Sequence, residues 1–192
     1  EGASSIRGAY LALLGASAAT IGFVSGLGEL VGYSLRYLFG MLTDKTKLYW
    51  PMTIFGYVLD VIAVPALALV GEHGWVMACG LLIIQRMGKA IKKPAKDTIM
   101  SFAASQEGAG KSFGIQEVLD QIGAFLGPVL LYVIMLFKTE GSTFEIYRYC
   151  FAALAIPGAI TLFLLLVTRY KFPNPEHFEP EPKEYIPFKL KK

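Results

Sequence analysis

The sequence predicts an all-α, polytopic integral membrane protein, and three observations carry that reading. Charged residues are only 17% of the 192, against about 25% in a soluble domain. Mean hydropathy is +0.50. The apolar residues, 54% of the chain, fall into runs of about 20, the number a helix needs to cross a bilayer.

In chain order, Glu1 to Leu14 is apolar but short, and reads as the tail of an earlier helix followed by a tight loop. The first residue is Glu rather than Met, so the chain is expected to be a piece of something longer. Five full spans follow: Ala16 to Leu42, Pro51 to Val70, Gly74 to Ile91, Phe113 to Phe137 and Ile146 to Thr168. The first carries Gly22, Gly26, Gly28 and Gly32, interleaved small-xxx-small pairs of the kind that let membrane helices pack tightly. Pro65 and Pro157 are expected to kink their helices. From Pro173 the composition changes to PNPEHFEPEPKEYIPFKLKK. Repeated prolines there oppose regular helix, so 173–192 reads as an extended linker.

Lysine and arginine set the orientation. Lys45 and Lys47 follow the first span, Lys89 to Lys111 the third, and Arg169 onward the fifth. Cationic loops stay in the cytosol, which places 43–50, 89–112 and 169–192 inside and Glu72 outside. Other classes are weakly supported. A net charge of +3 leaves no nucleic-acid footprint. Cys79 and Cys150 lie in apolar runs without ligand spacing, and His73 and His177 are isolated. No metal or other cofactor is therefore expected. There is no His-Glu-x-x-His, Gly-x-Ser-x-Gly or Walker loop, so no enzyme is expected either.

Gly114, Gly123 and Gly127-Pro128 form a Gly-x8-Gly-x3-Gly-Pro string inside an apolar run. Glycine lets helix backbones approach closely in lipid, and proline is tolerated there because neighbours re-satisfy the freed carbonyl. The string resembles the fifth-helix antiporter motif of the major facilitator superfamily of secondary transporters. Leu131 and Tyr132 stand where the family form continues with a glycine pair. Two further segments resemble the same family. Gly40, Asp44 and Lys45 match its loop between helices two and three, while Lys47, Leu48 and Tyr49 replace that loop's second glycine and basic pair. Arg86-Met-Gly88 resembles its fourth helix, where an arginine is often linked to proton coupling. The three segments come in the family's order and on its sides of the membrane.

The resemblance implies a six-helix half-bundle with the first helix mostly absent. Residues 1–15 would be the end of that helix and an outer loop, 16–172 the second to sixth helices, and 173–192 the central cytosolic linker. It implies half of a secondary transporter that rocks against a missing C-terminal half about a midplane site. The expected activity is proton-coupled export or exchange of a small organic solute, in the cytoplasmic membrane of a prokaryote. The alternative is a non-transporting membrane scaffold or partner subunit.

Six charges lie within or near the spans: Glu29, Arg36, Asp60, Arg86, Glu117 and Asp120. Each costs about 2.5–3.5 kcal/mol at the bilayer centre unless it is paired or hydrated. Glu29 and Asp60 lie near mid-span. Arg36 is two turns nearer the cytosol on the face of Glu29, and Asp120 shares a face with Gly127, both by seven-residue spacing. By the family's arrangement, Glu29, Arg86 and Asp120 border the cavity and are candidates for proton coupling, Arg86 pairing with one of the acids. Arg36, Asp60 and Glu117 are structural charges, with Asp60 a partner of the second helix. Asp44 would form a cytosolic latch. Gly114, Gly123, Gly127 and Pro128 would pack or gate.

Overall fold

A computed structural model describes residues 2–137 and 142–178. The regular elements among them are all helical: α1 (Gly2–Leu13), α2 (Ala18–Thr46), α3 (Tyr49–Ala66), α4 (Trp75–Glu107), α5 (Ala109–Phe137), α6 (Thr143–Ala153) and α7 (Ala155–Lys171). Short 3-10 turns occupy Leu67–Leu69 and Pro175–Phe178.

Local chemistry sets the boundaries. The Ser17 hydroxyl caps α2 by accepting the Thr20 N–H at 3.1 Å, and Ser142 caps α6 by accepting from Glu145 at 3.3 Å. Such caps satisfy amides that have no partner in the first turn. The α2–α3 turn is very tight, and Lys47 takes it at φ 55, a left-handed conformation uncommon outside glycine. The expected span Ile146 to Thr168 is two helices, which meet at Leu154. Pro157, three residues on, has no N–H to bond the Ala153 carbonyl, so the helix breaks just before it.

Among the described residues, four stretches are long and apolar enough to cross a membrane: Ala18–Thr46, Tyr49–Leu69, Gly110–Phe137 and Thr143–Lys171. The expected third span, on α4, has the length at 33 residues but not the composition. Its first 18 residues already contain Arg86, Lys89 and Lys92. The loops are shorter than expected. Residues 43–46 continue α2, and 89–107 continue α4 straight through the lysine run and Pro94. The reason is an apolar stripe that the lysines conceal. Ile91, Ala95 and Phe102 recur at helical spacing and are buried, and Phe102 meets Tyr49 edge-on at 5.6 Å.

The core lies toward the end of the bundle that is poor in lysine. Tyr10 of α1 is fully buried, donates its hydroxyl to Leu67 O at 2.8 Å, stacks on Phe144 and meets Tyr147 at a tilt and Phe151 edge-on. Arg148 closes this cluster by donating Nε to Ala68 O at 2.6 Å. At the opposite end gather Lys45, Lys47, the lysines of α4 and Arg169. There Trp50 donates to Phe172 O at 3.0 Å, and Lys47 pairs with Glu176 at 3.4 Å. The cationic segments thus share one end of the bundle, with Glu72 at the other. In α2 and α5 only 6% of the most apolar window is buried, so their large apolar side chains form faces turned away from the bundle.

Candidate functional site

The site is built where α4 crosses α2. Arg86 extends from α4 toward Gly28, and a Cβ placed there would lie 2.6 Å from Arg86 Cδ. Glycine at 28 is therefore what admits the arginine. Its Nη1 then donates to Ser25 O at 3.0 Å and to Glu29 Oε1 at 2.9 Å. The pair is asymmetric: the Arg86 side chain is 12% exposed and that of Glu29 56%. A guanidinium cannot discharge in a protein, so it is the buried, fixed partner. The carboxylate is the accessible one.

Two cavities flank the pair, with volumes of about 200 and 220 Å³. Both are lined by Arg86 and by Arg7 of α1. The second is also lined by Glu29, Tyr33, Arg36 and Lys89. Arg36 lies at the expected two-turn spacing from Glu29, with its guanidinium carbon 5.1 Å from the centroid of the Tyr33 ring. Arg7 is the participant that sequence reasoning missed. It sits in a segment too short to read as a span, and no motif marks it.

The other charges fall elsewhere. Asp60 was expected to serve the second helix. Its partner is instead Lys92 of α4, whose Nζ lies 2.6 Å from Oδ2. The lysine ammonium also sits 3.9 Å from the centroid of the Tyr57 ring. The cause is the closeness of α3 and α4. A Cβ on Gly56 would fall 2.5 Å from Gly88 O, and one on Gly88 would fall 2.8 Å from Gly56 O. The helices touch by backbone, which brings the lysine stem over α3. Asp120 lines neither cavity and is not a partner of Arg86 among the described residues. Glu117 accepts from Gln121 at 2.9 Å on an exposed face of α5.

The glycine string on α5 divides. Gly127 is buried, on a helix that packs against α1, α4 and α6. A Cβ on Gly114 or Gly123 would meet no atom within 4 Å. Within the described chain these two are therefore not packing contacts, and the close helix approach lies at Gly56 and Gly88. A Cβ on Gly40 would meet Pro94 Cβ at 3.8 Å, an ordinary contact. Asp44 and Lys45 are exposed at the end of α2, and Asp44 makes no ion pair among the described residues.

Comparison with known proteins agrees with this architecture. Residues 3–192 match the family model of the Major Facilitator Superfamily. Over 93% of its length the chain is 43% identical to uncharacterised proteins of Mycobacterium tuberculosis and Mycobacterium bovis, covering 42% of each. It is 29% identical to an uncharacterised MFS-type transporter of Methanocaldococcus jannaschii, over 82% of this chain and 36% of that protein. The chain thus spans less than half the length of the curated relatives it matches. No solved structure gives a significant match. The chain is an integral membrane protein and belongs to the major facilitator superfamily.

Proposed function

We propose that this superfamily chain forms the N-terminal half of a secondary transporter, with the Arg86–Glu29 pair as its coupling centre. One observation carries the reading: a largely buried guanidinium on α4 holds a half-exposed carboxylate of α2 at 2.9 Å, beside cavities. A proton arriving at Glu29 removes the charge that balances Arg86. The balance around the cavity then differs between two states, and a ligand or proton that prefers one shifts the population toward it. Substrate would move by alternation of this half against a second one. Exchange or export of a small organic solute is the direction that the α5 string supports by family analogy. Asp120 is kept as a second acid to test.

The cationic end of the bundle is assigned to the cytosol by the positive-inside rule, with 169–178 on that side; the rest of the expected linker, 179–192, lies outside the described residues. The prokaryotic organisms of the relatives support a cytoplasmic membrane. The test is flux against pH in the full-length protein, reconstituted with Glu29→Gln and Asp120→Asn. Loss of pH-driven flux with retained binding supports coupling. An unshifted profile in both variants means that the charges only hold helices together. No flux of any solute by the folded wild type points to the scaffold reading.

A further inference from the structure

The character of the α2–α4 cavity carries an inference about what enters it, and this rests on the transport reading. Its ionisable lining is Arg7, Arg36, Arg86 and Lys89 against one carboxylate, Glu29. Low-dielectric walls focus such a field and raise the local concentration of the opposite charge. Hydrogen bonding points the same way. Arg36 Nε is buried and donates to no acceptor among the described residues, although buried polar groups are nearly always satisfied. The Tyr33 ring attracts the Arg36 cation but does not supply the in-plane acceptor that the Nε–H requires. Arg86 gives Nη1 to Ser25 and Glu29, and the Glu29 carboxylate has the exposure to be exchanged.

We propose that the cavity binds the anionic head of its solute, a carboxylate or phosphate, between Arg36 and Arg86, and that this head competes with Glu29 for Arg86. Guanidinium donors in a fixed plane match both head groups, each of which can accept two parallel N–H bonds. A cationic solute is disfavoured by like charge on three walls. Glu29 then does more than carry a proton: it occupies the anion's place when the site is empty.

The experiment measures equilibrium binding to the purified full-length protein in neutral detergent, by intrinsic fluorescence or calorimetry. The probes are inorganic phosphate, succinate and, as the opposite charge, tetraphenylphosphonium. Phosphate or succinate is expected to bind and tetraphenylphosphonium not to. Arg36→Gln should weaken the anion by roughly 10–100-fold, the worth of a charge-assisted hydrogen bond, and Glu29→Gln should tighten it several-fold. Unfolding temperature is recorded for each variant, and Arg36→Lys serves as a second one that keeps the charge and loses the planar fork. Addition of phosphatidylglycerol, compared with phosphatidylcholine, separates the sources of the head group. Displacement of the small anion by phosphatidylglycerol alone assigns the site to a lipid headgroup. No displacement assigns it to a soluble solute. Binding of the cation without the anions, or an affinity unchanged in folded Arg36→Gln, overturns the proposal. Binding without flux would refute transport while leaving the anion site standing. Flux of a cation alone would do the reverse.

Discussion

Gly56→Ala is the substitution whose cost follows most directly from the geometry. The added Cβ would lie 2.5 Å from Gly88 O, 2.6 Å from Lys92 Cβ and 2.8 Å from Lys92 N. Two of these are backbone atoms and cannot swing aside. Reaching ordinary contact at 3.4 Å requires about 0.9 Å of separation between α3 and α4. That separation also stretches the 2.6 Å bond between Lys92 and Asp60. Overpacking costs about 1–3 kcal/mol, and alanine's better helix propensity returns about 1 kcal/mol. The strained ion pair adds to the loss. A net destabilisation of about 1–3 kcal/mol is expected. Gly80→Ala is the control on α4, since its Cβ meets no atom within 4 Å. It should be neutral or stabilising by up to about 1 kcal/mol. The assay is unfolding of the full-length protein in detergent, followed by circular dichroism. The reasoning is refuted if Gly56→Ala unfolds no earlier than Gly80→Ala.

Three other expectations follow from the same structure. Tyr10→Phe removes the hydroxyl that donates to Leu67 O while the Val70 N–H still reaches that carbonyl at 3.3 Å, so it should lose about 0.5–1.5 kcal/mol of stability in the same unfolding assay. Trp50→Phe keeps the ring buried but removes the indole N–H that donates to Phe172 O. It should speed proteolytic cleavage near Pro173 with little change in unfolding midpoint, and an unchanged cleavage rate would argue against the tether. Single cysteines at Asp44, Lys93 and Glu72 should label from opposite sides of intact cells, the first two together, and labelling of all three from one side would overturn the topology.

The sequence revealed the helices that are apolar throughout and misjudged the one that is not. The runs behind α2, α3 and α5 signal themselves by length alone. The extension of α4 past Ile91 does not, because three lysines dominate the run and its stripe of Ile91, Ala95 and Phe102 is one side chain wide. Glu29 and Arg86 could be nominated because a charge in an apolar span demands a partner. Which acid Arg86 chose depended on Gly28, where a missing side chain opens the way. Spacing along one helix reports only that helix. So the α5 string gave no sign that Gly114 and Gly123 meet nothing within the described chain, nor that a backbone contact joins Gly56 and Gly88, two isolated glycines on different helices.

The contact between Gly56 and Gly88 also dictates which movements remain open to α4. Shear between α3 and α4 is blocked. Sliding by one turn, about 5.4 Å, would drive Thr53 or Asp60, the neighbours of Gly56 on the same face, into the notch that only glycine fits. The two helices must therefore turn as one stiff body. On its other side α4 meets α2 at Gly28 through the Arg86 side chain rather than through backbone, and a side chain changes rotamer where a backbone cannot. Compliance and stiffness thus sit on opposite faces of the same helix, and the compliant face is the one that meets Glu29 of α2 through Arg86.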